Sequence, residues 1–355
     1  MNINPAIRQQ AMFLLLISLS CFVACKKDKK NEPEEVEVKG PVVSTFAGSV
    51  NHGFKDGTGE TAKFLSPTAI SIDLFGNVYV ADYANHAVRK ITPEGVVSTL
   101  AGGRSGNTEL ASSAFTGPSG IAVDWYGNVF VGDSENNNIK QISPAGKIKL
   151  IAGSTKGDVD GPLGSNRLSS PSALAIDDAS GSIYITQFTS YVKRLKDGEI
   201  KTLAGGLRID DGQSPFRFPL GIAINAQKEL IIADYGKHQI LKINTNDEVS
   251  VVAGSGMAGH ADGLASEASF NLPQGLAIDK AGNIYVADRG NHKIRMISTA
   301  GLVSTIAGTD QYGAVDGPAH SASFFEPSGI AIDVDGNLLI TDRGNHQIRK
   351  ITFPR

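Results

Sequence analysis

The chain has 355 residues, too many for one small globule and suited to two domains or one repeat array. Apolar residues make up 41% and charged residues 19%, which excludes a largely disordered chain. A net charge of −3 gives no electrostatic reason for a nucleic-acid partner, and two cysteines exclude both a disulfide scaffold and a zinc site built on several thiolates.

Residues 11–24, AMFLLLISLSCFVA, form an apolar run of 14. A bilayer span needs about 20 residues, so this run suits the h-region of a signal peptide. It ends at Phe22-Val23-Ala24-Cys25, and charge begins at Lys26. The pattern resembles the lipobox of bacterial lipoproteins. That resemblance implies a signal peptide over residues 1–24, cleavage before Cys25, and a membrane anchor through lipid on Cys25. Residues 25–40 then form the lipidated cysteine and a charged, flexible tether. Lys26 stands where inner-membrane retention in some Gram-negative bacteria uses Asp. The implied location is extracytoplasmic and lipid-anchored at the outer membrane, with the periplasmic or cell-surface side left open.

From Pro41 one unit repeats six times. An Ala-Gly pair closes a β-rich stretch with Gly at 48, 102, 153, 205, 254 and 308, in steps of 54, 51, 52, 49 and 54 residues. A proline precedes the next apolar run at Pro67, Pro118, Pro171, Pro219, Pro273 and Pro327. Repeats of this length signal a repeat architecture. The fifth unit shows four β-like segments: Gly275-Leu276-Ala277-Ile278, Asn283 to Asp288, His292 to Ile297, and Leu302 to Ala307. Polarity rises after the first segment, so that segment is expected to be the most buried. Asp73-Leu74-Phe75-Gly76-Asn77 and Asp124-Trp125-Tyr126-Gly127-Asn128 are hairpin turns, with Asp bonding its own turn and Gly free to take φ > 0. One such sheet cannot bury both faces alone. Six in a ring can, so the expected fold is all-β: a six-bladed β-propeller of four-stranded antiparallel blades over residues 41–355.

The motifs P-x-G-[IL]-A-[IV]-D, G-N-[IV]-Y-V-A-D, N-H-x-[IV]-R-[KM]-I and V-S-T-[ILF]-A-G resemble those of the NHL-repeat family. The third unit departs, with Gln187 at an Asp position and no Asn-His pair. The array starts with a fourth strand, Val42 to Ala47, and ends after a third, so the first strand is expected to pair with Ile348–Ile351 and close the ring. The propeller is expected to be monomeric.

Two loop sets reach one face. The long inter-blade loops carry Asp-Gly and then Phe-x-x-Pro, with Phe64, Phe115, Phe216, Phe270 and Phe324 as plugs. Calcium at Asp158-Val159-Asp160-Gly161 is a sharper alternative, but further oxygen ligands are missing. The other loops carry Asp-x-x-x-His at Asp82/His86, Asp234/His238, Asp288/His292 and Asp342/His346, with Asp133 at the same place in the second unit. These Asp residues are read as turn caps. Zinc between the histidines is resisted by blade spacing, since its ligand atoms lie about 2 Å from the metal. No metal site and no cofactor is therefore expected. The residue after Asp is Tyr83, Tyr235, Arg289 or Arg343 on four consecutive blades. We read this Tyr-Arg-Arg-Tyr arc, with His86, His238, His292 and His346, as the candidate binding face. Arg forks suit carboxylates, and Tyr suits sugars or protein anchors. Gly254-Ser255-Gly256-Met257-Ala258-Gly259 fits G-x-G-x-x-G but leads into another repeat loop, not a helix. The reading is a binding scaffold for a protein, peptide or glycan. The resemblance keeps one alternative: a metal-dependent propeller enzyme of lyase or lactonase type.

Overall fold

Short β-branched stretches separated by Asp-x-x-Gly-Asn and Gly turns fold each repeat into an antiparallel meander. The computed structural model describes residues 40–110, 114–206 and 214–354. The signal peptide, Cys25 and nearly all of the tether lie outside the described residues.

Six sheets form six blades, which we number 1 to 6 by their inner strands: Pro67–Ile72, Pro118–Val123, Pro171–Asp177, Pro219–Ile224, Pro273–Ile278 and Pro327–Ile332. Blades 1 to 5 run inner, second, third, outer in sequence order, and every inner strand packs against those of its two neighbours. The ring closes as expected. Val42–Gly48 is the outer strand of blade 6, with Val43 opposite Ile351 and Thr45 opposite Arg349. A four-stranded blade is not the whole pattern. In blades 1, 3, 5 and 6 the Asp-Gly loop adds a two-residue fifth strand on the outer edge: Gly57–Thr58, Gly161–Pro162, Gly263–Leu264 and Gly317–Pro318. That addition covers an otherwise open edge.

Burial corrects one expectation. The second strands are buried at every position except Tyr184 of blade 3, as at Val78–Asp82 and Ile284–Asp288, whereas the inner strands mix buried and half-buried positions. The inner strands line an axial cavity of about 60 Å³, so one of their faces meets space instead of packed side chains. The second strand is packed on both faces between adjacent blades. Small residues on the inner strands let neighbouring backbones approach closely: a Cβ at Gly221 would collide with the Gln274 carbonyl of the next inner strand. The five loop phenylalanines are buried plugs, with Leu168 taking that place in blade 3.

Candidate functional site

The Asp of Asp-x-x-x-His ends the second strand, where the backbone turns through one 3₁₀ turn in blades 1, 5 and 6. The carboxylate points inward. Asp82 accepts the Leu65 backbone N–H at 2.8 Å, the Asn85 side-chain amide at 2.8 Å and the Arg89 guanidinium at 2.8 Å. Arg89, fully buried, also donates to Asp56 of the Asp-Gly loop at 2.6 Å. Blade 5 repeats this as Asp288–Arg295–Asp262, and blade 6 as Asp342–Arg349–Asp316. Blade 2 substitutes Lys140 beside Asp133 at 3.1 Å. Blade 3 substitutes Gln187 beside Asp158, and Lys193 beside Asp160. In blade 4, Leu241 stands at the arginine position, and Asp234 accepts the backbone N–H of Arg217 and Lys237. Burial raises the Asp234 carboxyl to about 6, against the pull of those N–H groups. The carboxylates at 82, 133, 288 and 342 therefore tie loop, turn and third strand together inside a blade. Of these five, Asp234 accepts a backbone N–H of its own turn, where the others accept a side-chain amide.

The four histidines carry a task that their spacing alone did not show. Each sits at left-handed φ, between 52° and 59°, just after the turn. Nδ1 of each accepts a backbone N–H from the next blade: His86 from Gly117, His238 from Leu272, His292 from Glu326 and His346 from Ser66, at 3.0–3.1 Å. Asn137 makes the same bond to Ser170 between blades 2 and 3. Every residue that donates this N–H precedes the inner-strand proline and has positive φ, a conformation that costs non-glycine residues about 1 kcal/mol or more. Burial lowers His238, His292 and His346 below the usual histidine value. Protonating Nδ1 would remove the acceptor. The histidines thus join blades, and they offer no Nδ1 to a ligand.

The Tyr-Arg-Arg-Tyr arc is brought together. Arg289 and Arg343 both donate to one oxygen of Glu326, at 2.7 and 2.9 Å. Arg289 also lies 5.7 Å from the Tyr235 ring centre and bonds Gln274, a residue lining the axial cavity. Tyr83 donates to Glu135 of blade 2 at 2.9 Å. Burial raises the Glu326 carboxyl, but the two guanidiniums outweigh it and hold it low. Burial and the neighbouring Arg289 push Arg343 down. The result is a half-exposed row of two guanidiniums, two phenols and the carboxylates of Glu326 and Glu135 at the axial mouth, with the excess of one positive charge confined to the Arg289–Glu326–Arg343 group. Glu326, Glu135 and Gln274 were missed in the sequence. Glu326 had a signal: it is the only charged residue immediately before an inner-strand proline. Among the described residues, no three of His, Cys, Asp and Glu stand where they could hold a metal ion.

Comparisons with known proteins agree with this architecture. The teneurin NHL domain family model matches residues 157–318, and the NHL repeat model matches residues 115–142 and 324–351. Human teneurin-4 is 26% identical over 90% of this chain, which spans 13% of teneurin-4. A suppressor-of-quenching protein of Arabidopsis thaliana is 27% identical over 82% of this chain, which spans 30% of that protein. An auxiliary nutrient binding protein from Bacteroides thetaiotaomicron superposes with a TM-score of 0.69 at 21% identity, covering 89% of this chain and 77% of that one. At these identities the solved structure shows the fold alone. The repeat motifs, the family matches and the closed ring of six blades together show that the chain belongs to the NHL-repeat family of six-bladed β-propellers.

Proposed function

We propose that this chain is an extracytoplasmic, lipid-anchored binding protein, attached through Cys25 at the outer membrane and acting as a monomeric propeller. Its ligand is a carboxylate-bearing segment of a protein, peptide or glycan, received at the axial mouth by Arg289 and Arg343. The observation that carries this reading is the single Glu326 oxygen shared by two guanidiniums. Each fork has further donors than one oxygen can use, and a second carboxylate can take them or displace Glu326. Tyr83 and Tyr235 flank the arginines and add rigid amphipathic contact area. A solved propeller of this fold named as a nutrient binding protein accords with a binding role. The lyase or lactonase alternative would call for converging metal ligands, and no observation among the described residues favours it.

The test is an array of acidic, neutral and basic peptides and glycans, probed with the wild-type domain and with Arg289→Ala plus Arg343→Ala. Acidic members should bind the wild type and lose at least ~10-fold in the variant, the loss expected for charged anchors of 1–3 kcal/mol. Undiminished binding by the variant would remove the proposal.

A further inference from the structure

The opposite face of the disc carries the hairpins between inner and second strands. Their turns are held by backbone hydrogen bonds and by the side chain of the first turn residue, Asp in most blades and Asn225 in blade 4. Asp124 accepts the backbone N–H of Tyr126 and of Asn128 at 3.0 and 2.7 Å, and Asp73 does the same for Phe75 and Asn77. The two residues at each tip are therefore free to be anything. Blades 3 to 6 place Asp178-Ala179, Ala226-Gln227, Lys280-Ala281 and Val334-Asp335 at these tips. Blades 1 and 2 place Leu74-Phe75 and Trp125-Tyr126 there, with Phe75, Trp125 and Tyr126 exposed at 83%, 65% and 82%. Neighbouring large apolar groups at this exposure have no packing task and mark an interaction site.

The aromatic tip of blade 2 stands between two clefts. One, of about 400 Å³ between blades 1 and 2, is walled by Phe75, Trp125 and Tyr126. The other, of about 310 Å³ between blades 2 and 3, has an apolar floor of Phe130, Ile176, Ile183 and Leu195. Both volumes fall in the range of small-ligand sites. The second cleft exists beside a specific exchange. In blades 1 and 5 the hydroxyls of Tyr79 and Tyr285 donate to the second oxygen of Asp73 and Asp279. Phe130 takes that place in blade 2 and leaves Asp124 Oδ2 with the Asn128 amide as its hydrogen-bond donor. Asp178 lies on the same rim, as do Lys149 and Lys196, two exposed lysines that make no ion pair among the described residues.

We infer that this aromatic face binds a neutral carbohydrate. The rim presents three carboxylates, those of Asp124, Asp178 and Asp197, and two ammoniums, so a ligand of either net charge meets repulsion as well as attraction. Neutral hydroxyls do not: they donate to Asp124 and Asp178 and accept from Lys149 and Lys196. A pyranose also has an apolar C–H face, which the exposed rings can cover. This site is independent of the arginine arc.

Trp125 is the chain's single tryptophan, so its fluorescence reports on this face. The experiment titrates the whole domain with neutral gluco-, manno-, galacto- and xylo-hexasaccharides. At least one should give a saturable change in emission, retained in Arg289→Ala plus Arg343→Ala. Phe75→Ala plus Tyr126→Ala, both exposed, should keep the wild-type melting temperature and weaken binding by about tenfold or more. No saturable change with any of the four hexasaccharides, or a change undiminished in the aromatic variant, would overturn the inference.

Discussion

The seam between blades 6 and 1 and the seam between blades 3 and 4 join equivalent sheets by different means. At the first, His346 Nδ1 accepts the Ser66 N–H at 3.0 Å, and Ser328 Oγ donates to the Pro67 and Thr68 carbonyls at 3.2 and 2.9 Å. At the second, Ser190 occupies the histidine position and its buried hydroxyl has no partner. Ser172, the counterpart of Ser328, bonds Ser170 in its own blade. In place of these bonds, Phe188 stacks on Phe218 with ring centres 4.6 Å apart, and Lys228 meets Asp177 at 2.6 Å on the opposite face. The comparison separates two functions within one motif. The Asp of Asp-x-x-x-His holds a blade together, and the His holds it to the next. Blade 4 keeps the first without its cation, blade 3 loses both, and the ring still closes because aromatic contact replaces the polar seam.

The sharpest way to break this comparison is to cut the ring at its polar seam. Deleting residues 41–48 removes the outer strand of blade 6 and the Thr45 partner of Asp316. Thermal unfolding should then begin at least about 10 °C lower, because Gln347–Thr352 becomes an open edge. An unchanged melting temperature would contradict closure. Next comes the cation inside the blade. Arg349→Ala leaves Asp342 buried and unpaired, and should cost about 3–5 kcal/mol by denaturant titration. Asp234→Asn, in the blade that never had the arginine, should cost far less. Its pH dependence has a definite sign. Burial places the folded value near 6, above the unfolded value of 3.8, so the wild-type carboxyl favours the fold at low pH and loses that advantage as pH rises through about 6. Asp234→Asn should therefore be less destabilising above pH ~7 than near pH ~5.

How much of this was legible follows from what repeats. Glycine and proline spacing revealed six blades, and the phase of the first strand revealed closure. The plugs at Phe64 and its counterparts recurred and were read correctly as buried. Buried Arg89, Arg295 and Arg349 were not recognised, because each is followed by Lys90, Met296 or Lys350 on an alternating strand whose inward face cannot be told from composition. The histidine bonds were hidden for another reason. Their partners lie 31 to 34 residues ahead, or 280 residues back for His346, in a blade that the motif itself does not describe. Glu326 occurs once, so no repeat pattern could bring it forward.

The smallest expected effect sharpens the histidine role. Burial lowers the folded values of His238, His292 and His346 below the unfolded value of 6.5. Their contribution is complete above that pH and is lost as pH falls through the folded values. Asn137 already serves one seam without titrating. Replacing the three histidines with Asn should leave stability near neutral pH within about 1–2 kcal/mol and reduce the loss between pH ~7 and ~5. An unaltered pH profile would show that these rings do not control the seams.

The central functional claim concerns the charge at the axial mouth, and Glu326→Gln tests it most directly. That substitution frees two guanidiniums from their shared carboxylate while keeping the shape of the site. Using the acidic array member that binds best, the account predicts tighter binding by Glu326→Gln than by the wild type, and none by Arg289→Ala plus Arg343→Ala. Equal binding by all three proteins would contradict it.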